Sequence, residues 1–336
     1  MTRRRIFADV VGALRIVPLT AGRRRLNAFY SDHYVLPLPA GHRFPMVKYE
    51  RLRARVREEL PLVRLMESPA ATDDQLARAH DRDYVRRLAC GELSAAEQRV
   101  IGFPWSAPMV ERARRSVGAT IAAARAATEA WVAVNLAGGT HHALRDRGQG
   151  YCVFNDAAVA ARTMQAEAAC SLRVAIVDLD VHQGDGTAAI LAGDATTFTL
   201  SLHAEKNFPL RKSPSDLDRG LPDGTGDAEY LRALDEALDE MLARFAPELI
   251  IYLAGADAHQ NDRLGRLALT TAGMAARDAR VFDLAFRLRV PIAVAMAGGY
   301  GRDIDITVDV HLNTVRAAFR HWQRCVARAA AEPAIV

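Results

Sequence analysis

The strongest constraint on the fold is a set of five short apolar runs separated by segments with helical periodicity. Each run is hydrophobic at consecutive positions, whereas a strand wetted on one face alternates apolar and polar residues. The runs predict buried parallel strands at residues 131–136, 173–179, 197–202, 249–253 and 290–295. Strands that alternate with helices form a parallel sheet with both faces covered. The expected fold class is therefore α/β, with a mostly parallel sheet flanked by helices.

The intervening segments predict the helices that cover this sheet. Apolar residues recur at helical spacing in residues 110–124, 230–245 and 274–288. The expected N-caps are Asp227 for the second segment and Thr270 or Thr271 for the third.

Polar clusters follow each of the five runs instead of being scattered along the chain. In order they are "AGGTHHA", "DLDVHQGDG", "SLHAEKNF", "AGADAHQNDRLG" and "AGGYG". The carboxyl ends of parallel strands share one edge of a sheet, where ligands bind. The five clusters therefore predict one site.

Two of these clusters carry residues suited to a metal ion. Asp178, Asp180 and His182 project to one side if the strand stays extended that far, and such crowding favours a divalent cation. Asp257 follows another strand and supplies a third ligand. An Asp/His/Asp set with an open position suits a catalytic zinc ion or a similar metal. The alternative is that the first cluster only caps and turns the chain before a glycine-rich loop.

The tandem His141 and His142 add acid–base groups at the same edge. Asp178 and Asp185 can each orient one imidazole and raise its basicity. Two His/Asp pairs beside a metal suit general base and general acid catalysis. Tyr300 follows two glycines and can direct a hydroxyl at a developing oxyanion. The residues favour metal-assisted hydrolysis of an amide-like bond.

The basic charge of the chain is concentrated at its N-terminus. The formal net charge is +4, yet residues 1–25 alone hold seven arginines and one acidic residue. We interpret residues 1–25 as an Arg-rich extension and residues 26–336 as a single catalytic domain. An extension of this kind can be a solvated arm or a product of an early start codon, or it can serve in targeting. The charge does not require a nucleic-acid partner.

Cysteine usage and hydropathy indicate a soluble, cytoplasmic protein. The four cysteines lack the paired spacing of a zinc knuckle and the density of a secreted disulfide scaffold. The apolar runs are too short for a membrane span.

In order and spacing, the motifs resemble those of the zinc-dependent histone deacetylase family. They are "GGTHHA", "GYCVFND", "DLDVHQGDG", "SLH", "GAD" and "GGY", and the resemblance covers Phe29 to about residue 320. Gln183, "EKNFPLRKSPSDLD" and "PDGTGD" are most similar to the class IV branch and its bacterial relatives. The resemblance implies the arginase/deacetylase fold.

The resemblance also implies a role for each site residue. Asp180, His182 and Asp257 would bind one zinc ion. His142 with Asp185 would act as general base and then acid, His141 with Asp178 would give electrostatic stabilisation, and Tyr300 would polarise the scissile carbonyl. The substrate channel would be lined by Gly150, Tyr151, Gly298 and Gly299. Carbonyl groups of a buried monovalent-cation site, usually for potassium, would come from Asp178, Asp180, His182, Ser201 and Leu202.

The sequence departs from the family pattern at the rim of the site. No counterpart of the rim Asp that grips the substrate backbone in many eukaryotic members is found between His80 and Ser106. Asn261 stands where the family usually has Gly. These departures concern substrate recognition and leave the chemistry intact.

The predicted function is zinc-dependent removal of acetyl or longer acyl groups from Nε-acyl-lysine or a small acylated amine. One alternative is a two-metal manganese ureohydrolase on the same fold, although "GADAHQ" lacks its usual second Asp. Another is a non-catalytic protein that binds acyl-lysine or nucleic acid. The sequence does not name an oligomeric state.

Overall fold

The computed structural model describes residues 25–331, except 35, 37, 40 and 170. The Arg-rich extension therefore lies outside the described residues, apart from Arg25. Strands in this part of the chain are β1 (Asn27–Tyr30), β2 (Arg64–Glu67), β3 (Val132–Asn135), β4 (Val174–Asp178), β5 (Thr197–Ala204), β6 (Leu217–Leu221), β7 (Leu249–Leu253) and β8 (Ile292–Ala295). Helices are α1 (Val47–Glu59), α2 (Asp73–Leu76), α3 (Arg82–Cys90), α4 (Ala95–Ile101), α5 (Ala107–Ala130), α6 (Asp156–Glu167), α7 (Asp185–Leu191), α8 (Asp227–Arg244), α9 (Thr271–Leu288) and α10 (Ile304–Ala331).

The strands form one sheet in the order β2-β1-β3-β8-β7-β4-β5-β6. Every neighbouring pair is parallel. The predicted α/β class is confirmed, and the sheet is entirely parallel. The five strands predicted from apolar runs are the five central neighbours, because β7 and β8 lie between β3 and β4. The outer strands β1, β2 and β6 were not predicted.

Alternate residues of the central strands feed two separate cores. Val132 and Val134 of β3 pack in one cluster, and Ala133 packs in the other. The first core also receives apolar residues of α1, α8, α9 and α10, and the second those of α2 to α7. This period of two places one layer of helices on each face of the sheet. None of the helices in the described part of the chain is both long and apolar enough to cross a membrane.

The two predicted helix caps have different outcomes. Thr270 caps α9 by accepting a hydrogen bond from the Gly273 amide at 3.1 Å. The prediction that Asp227 caps α8 is wrong, since the cap residue is Gly226. The Asp227 carboxylate instead accepts hydrogen bonds from the amide and hydroxyl of Thr270, at 2.8 and 2.6 Å, and so ties α8 to α9.

Candidate metal centre and acid–base site

Three predicted metal ligands converge beyond the ends of β4 and β7. Ligand atoms of Asp180, His182 and Asp257 all lie within 4.8 Å of one another, and the three residues are buried. In the part of the chain that the structure describes, no second group of three potential ligands is brought together in this way. Residues separated by about 75 positions therefore form one compact group because β4 and β7 are neighbours.

The chain reaches this geometry by turning, and the extended conformation does not continue through His182. Strand β4 ends at Asp178. The Asp180 amide then donates to Oδ1 of Asp178 at 3.1 Å, and the His182 amide donates to Oδ1 of Asp180 at 2.9 Å. Such side-chain hydrogen bonds to the following backbone favour turns over strand. As a result Asp178 is not part of the ligand group and contacts His141 instead.

The three residues fit a divalent cation. Oδ2 of Asp257 is buried and has no hydrogen-bond partner among the described residues. Burial raises the pKa of Asp257 to about 6, and the nearby charge of Asp180 adds to the effect. Burial alone would lower the pKa of His182, but its hydrogen bond to Asp180 and the nearby charge of Asp257 raise it to about 10. The two carboxylates therefore favour positive charge at this point.

Two glycines leave the room that the ligands need. A Cβ atom on Gly298 would lie 1.9 Å from Oδ2 of Asp257 and 2.6 Å from Oδ2 of Asp180. A Cβ atom on Gly255 would lie 2.8 Å from Oδ2 of Asp180. The Gly298 amide also donates to Oδ2 of Asp180 at 2.8 Å. No larger residue fits at position 298 without displacing a ligand.

The two predicted His/Asp pairs are both formed. Nδ1 of His141 lies 2.6 Å from Oδ2 of Asp178, and Nδ1 of His142 lies 2.7 Å from Oδ1 of Asp185. The two imidazoles are adjacent, with ring centroids 4.1 Å apart. Gln149 donates to the other oxygen of Asp185 at 2.6 Å.

The environment gives the two imidazoles different charges. Burial opposes protonation of His141, but the carboxylates of Asp178 and Asp180 raise its pKa to about 9. Burial and the neighbouring charge of His141 lower the pKa of His142 to about 4. These opposite shifts favour the protonated form of His141 and the neutral form of His142 near neutral pH.

Asn155 and Asp156 hold the loop that carries both histidines, a role that was not predicted from the sequence. Asn155 Nδ2 donates to the carbonyl of His141 at 3.1 Å, and its Oδ1 caps α6. The Asp156 carboxylate accepts from the amides of Gly139 and Thr140 at 2.9 and 2.7 Å. The sequence feature that could have indicated this role is an Asn-Asp pair directly before an apolar helical pattern.

One cavity of about 220 Å³ connects these groups with Tyr300. Its walls include His141, His142, Asp180, His182, Gly150, Tyr151, Gly298, Tyr300, Phe208 and Leu264. Among these, Phe208 and Leu264 were not predicted from the sequence. Gly299 does not line the cavity, because it packs behind it: a Cβ atom there would lie 2.7 Å from Thr307 and 3.1 Å from His311.

Tyr300 keeps its proton in this cavity. Burial, with the charges of Asp180 and Asp257, raises its pKa well above 10. The Tyr300 amide donates to Oδ2 of Asp262 at 2.6 Å, and its carbonyl accepts from Arg263 Nε at 2.9 Å. Tyr300 therefore presents a hydrogen-bond donor on an anchored backbone.

The expected monovalent-cation site remains a prediction. Asp178 and Ser201 are paired in register across β4 and β5, which brings the two strand ends together. Leu202 follows on β5, and Asp180 and His182 lie in the turn after β4.

His259 occupies the position at which a two-metal ureohydrolase usually has its second Asp. Its Nδ1 accepts from the Asn261 amide at 3.1 Å, and its Nε2 lies 3.2 Å from the Thr271 hydroxyl. Both ring nitrogens are thus engaged outside the ligand group.

Comparison with known proteins identifies the family. Residues 42–315 match the histone deacetylase domain. The chain belongs to the histone deacetylase family. It is 43% identical over 291 residues to an uncharacterised protein of Picosynechococcus, covering 86% of this chain and 97% of that protein. It is 33% identical over 308 residues to a histone deacetylase-like amidohydrolase of Pseudomonas aeruginosa, covering 84% and 80% of the two chains.

The fold agrees with this family. A histone deacetylase homologue from Aquifex aeolicus aligns with a TM-score of 0.72 at 23% identity, over 88% of this chain and 84% of the other. The family places the chain among deacetylase-type hydrolases.

Proposed function

We propose that this chain is a zinc-dependent deacylase that hydrolyses the amide bond of an Nε-acyl-lysine or of a small acylated amine. The observation that carries the proposal is the shared cavity. It brings a metal-ligand group, a neutral imidazole, a cationic imidazole and a tyrosine hydroxyl to one place. Each of these four kinds of group can promote acyl transfer to water.

Asp180, His182 and Asp257 would hold the zinc ion. Their oxygen and nitrogen donors suit zinc, and three protein ligands are typical of its catalytic sites. When bound, zinc polarises a carbonyl group and acidifies water. We also propose a potassium ion at the carbonyls of Asp178, Asp180, His182, Ser201 and Leu202.

His142 would move the proton in both halves of the reaction. Its neutral imidazole accepts a proton from the attacking water, and Asp185 at 2.7 Å fixes the ring and stabilises the resulting charge. The same proton then goes to the amine nitrogen as the amide C–N bond breaks. The water oxygen remains on the acyl carbon as part of the released carboxylate.

His141 and Tyr300 would stabilise the negative charge that develops on the amide oxygen. The pKa of His141 is raised by Asp178, so the ring is held as a cation, and the raised pKa of Tyr300 keeps its hydroxyl protonated. Both are fixed before the reaction, so little reorganisation is needed. Each is suited to charge stabilisation and not to proton transfer.

The channel fits a narrow chain, and that chain can belong to a protein or to a small amine. A Cβ atom on Gly150 would lie 2.9 Å from the His142 ring and 3.0 Å from Phe208. The space between these side chains therefore admits no residue larger than glycine at position 150. An acylated lysine or a linear acylated amine fits this description. Because the sequence resembles class IV members, the proposed substrates include longer acyl chains. Because the rim Asp is missing, they also include small acylated amines. The cysteine pattern supports a proposed cytoplasmic location.

The alternative functions have less support. A manganese ureohydrolase needs a second metal, and His259 is engaged with Asn261 and Thr271. A non-catalytic binding protein does not need two His/Asp pairs with different pKa values.

The test is hydrolysis of acetyl-lysine and longer acyl-lysine peptides, and of acetylated diamines, by the purified chain. We expect activity that is lost with a chelator and restored by zinc, and one zinc ion per chain by elemental analysis. His142→Ala should lower kcat about 100- to 10 000-fold. Two manganese ions per chain, or activity that survives both the chelator and His142→Ala, would contradict the proposal.

His321→Gln is the matched control for the histidine variant. His321 is also buried, but it lies on α10 beside Cys325 and outside the cavity. This variant should retain activity.

A further inference from the structure

A second, smaller cavity of about 50 Å³ lies directly behind the reaction cavity. The two cavities share wall residues, namely Phe44, Tyr49, Gly138, Thr140 and Tyr151. This volume holds roughly three to five water-sized groups. It is therefore large enough for the far end of a short acyl chain whose carbonyl lies in the reaction cavity.

The small cavity contains a buried arginine that forms no ion pair with a described carboxylate. Arg112 of α5 is 7% exposed and lines the cavity, and its Nη1 has no hydrogen-bond partner among the described residues. Its guanidinium stacks on the ring of Tyr49 at 4.6 Å. The carboxylate whose charge acts on the pKa of Arg112 is Asp32, which pairs with Arg53 at 2.9 Å.

Most of the remaining wall residues are apolar, and Ser116 and Thr140 are polar exceptions. The apolar residues include Leu36, Phe44, Phe103, Met109, Val153 and Phe154. A cation in such surroundings is unfavourable unless it is paired, and burial lowers the pKa of Arg112 accordingly. A carboxylate group attached to a short methylene chain matches both the charge and the apolar walls.

Tyr49 connects this cavity with the reacting groups. It borders both cavities and packs against Arg112. Tyr49 is therefore part of the wall along which the two cavities meet. An acyl group bound at Tyr300 points its distal end toward Arg112 when it follows this wall.

We propose that the enzyme removes acyl groups that end in a carboxylate, such as succinyl and glutaryl, and that Arg112 binds the distal carboxylate. This inference rests on the proposed deacylase function. Water adds across the amide, the C–N bond breaks, and the products are a dicarboxylate and the free amine. No oxidant or other co-reactant is needed.

The experiment compares kcat/KM for matched peptides that carry acetyl-lysine, succinyl-lysine or the neutral carboxamide analogue of succinyl-lysine. The carboxamide has the same shape as the succinyl group and no charge. We expect the wild-type enzyme to hydrolyse the succinyl peptide at least about tenfold faster than the carboxamide, the effect of one added charge-assisted contact. Arg112→Met should remove that ratio, and Arg112→Lys should retain part of it.

Arg125→Met provides the matched control. Arg125 lies on the same helix, but its side chain is half-buried and pairs with Glu167 at 2.5 Å. It should leave the succinyl-to-carboxamide ratio unchanged. The wild-type ratio decides the question even if Arg112→Met does not fold.

The inference is overturned if the wild-type enzyme hydrolyses the acetyl peptide but favours the carboxamide over the succinyl peptide, or treats them equally. It is also overturned if Arg112 affects only inhibition by free acetate, since the cavity would then bind released product. Failure of the proposed function looks different, because no acyl peptide would then be hydrolysed in a chelator-sensitive way.

Discussion

The five central strands and the three outer strands of the sheet differ in both burial and chemistry. Strands β3, β4, β5, β7 and β8 are buried at every position. In β1, β2 and β6 the burial is partial, and no metal ligand or catalytic candidate follows them. The site is thus built where the backbone is most fully enclosed. Rigid elements of this kind position catalytic groups more accurately than mobile segments do.

The largest effect should come from the end of a central strand. Gly298→Ala places a methyl group 1.9 Å from Oδ2 of Asp257, so it should displace a ligand and abolish both metal binding and activity. Zinc content and kcat measure this. Gly226→Ala is the control, because a Cβ atom there meets nothing within 4 Å. A fully active Gly298→Ala enzyme would show that the ligand group is placed wrongly.

Two tyrosine variants test whether the central and outer strands differ in their contribution to catalysis. Tyr300→Phe removes the hydroxyl from the reaction cavity and should lower kcat about 100- to 1000-fold. Tyr30→Phe makes the same change in outer strand β1, where the ring stacks with Arg53, and should leave kcat unchanged. Steady-state kinetics with one acyl peptide compares the two. Equal effects would contradict the distinction between central and outer strands.

Stability should show the same contrast. Ile251→Ala in β7 empties a fully buried position and should reduce the free energy of unfolding by about 2 to 5 kcal/mol. Leu65→Ala in β2 alters a partly buried side chain and should cost about 1 kcal/mol. Urea denaturation measures both. If Leu65→Ala reduces the free energy of unfolding more than Ile251→Ala does, β2 contributes more to stability than its burial indicates.

The last expected effect is a pH dependence of stability. Burial lowers the pKa of His80 to about 4, and its two nitrogens contact the Leu144 carbonyl and the Asn155 amide. Between about pH 6.5 and 4 the unfolded chain binds a proton that folded His80 does not. Stability should therefore decrease as the pH is lowered through this range, by up to roughly 3 kcal/mol from this group.

His80→Gln tests this assignment, because its amide can donate and accept but does not titrate. Urea unfolding between about pH 7 and 4 should give a shallower decline for this variant than for the wild type. An identical decline would assign the effect to other buried histidines, such as His203 and His321, whose pKa values are also lowered to about 4.

The central fold was predictable because a short, continuous apolar run followed by polar residues is typical of a buried parallel strand. The outer strands were not predictable, since β2 (Arg64–Glu67) has charged residues at both ends and β6 (Leu217–Leu221) has a polar centre. In a single sequence such segments resemble loops. Strand pairing, and not local composition, makes them strands.

The site was predictable to the extent that its residues are chemically unusual. Charged and imidazole side chains are unusual directly after apolar runs, so they can be recognised in the sequence. The structure brings these residues together: His141, His142, Asp180, His182 and Asp257. Phe208 and Leu264 could not be found in this way, because apolar loop residues are common and their contact with the site depends on the whole fold. The turns after Asp178 were considered only as an alternative to a metal site, whereas the structure combines turns with the ligand group, because side-chain hydrogen bonds to the backbone follow the end of the strand.

The strand order has a consequence for how the chain matures during synthesis. The first four motifs, from "GGTHHA" to "SLH", leave the ribosome before β7 and β8 are made, yet in the finished sheet β3 pairs with β8 and β4 pairs with β7. A nascent or truncated chain that ends before residue 249 carries both histidines and two of the three ligands without a frame to align them. Such a chain lacks Asp257 and Tyr300, so it cannot assemble the proposed site.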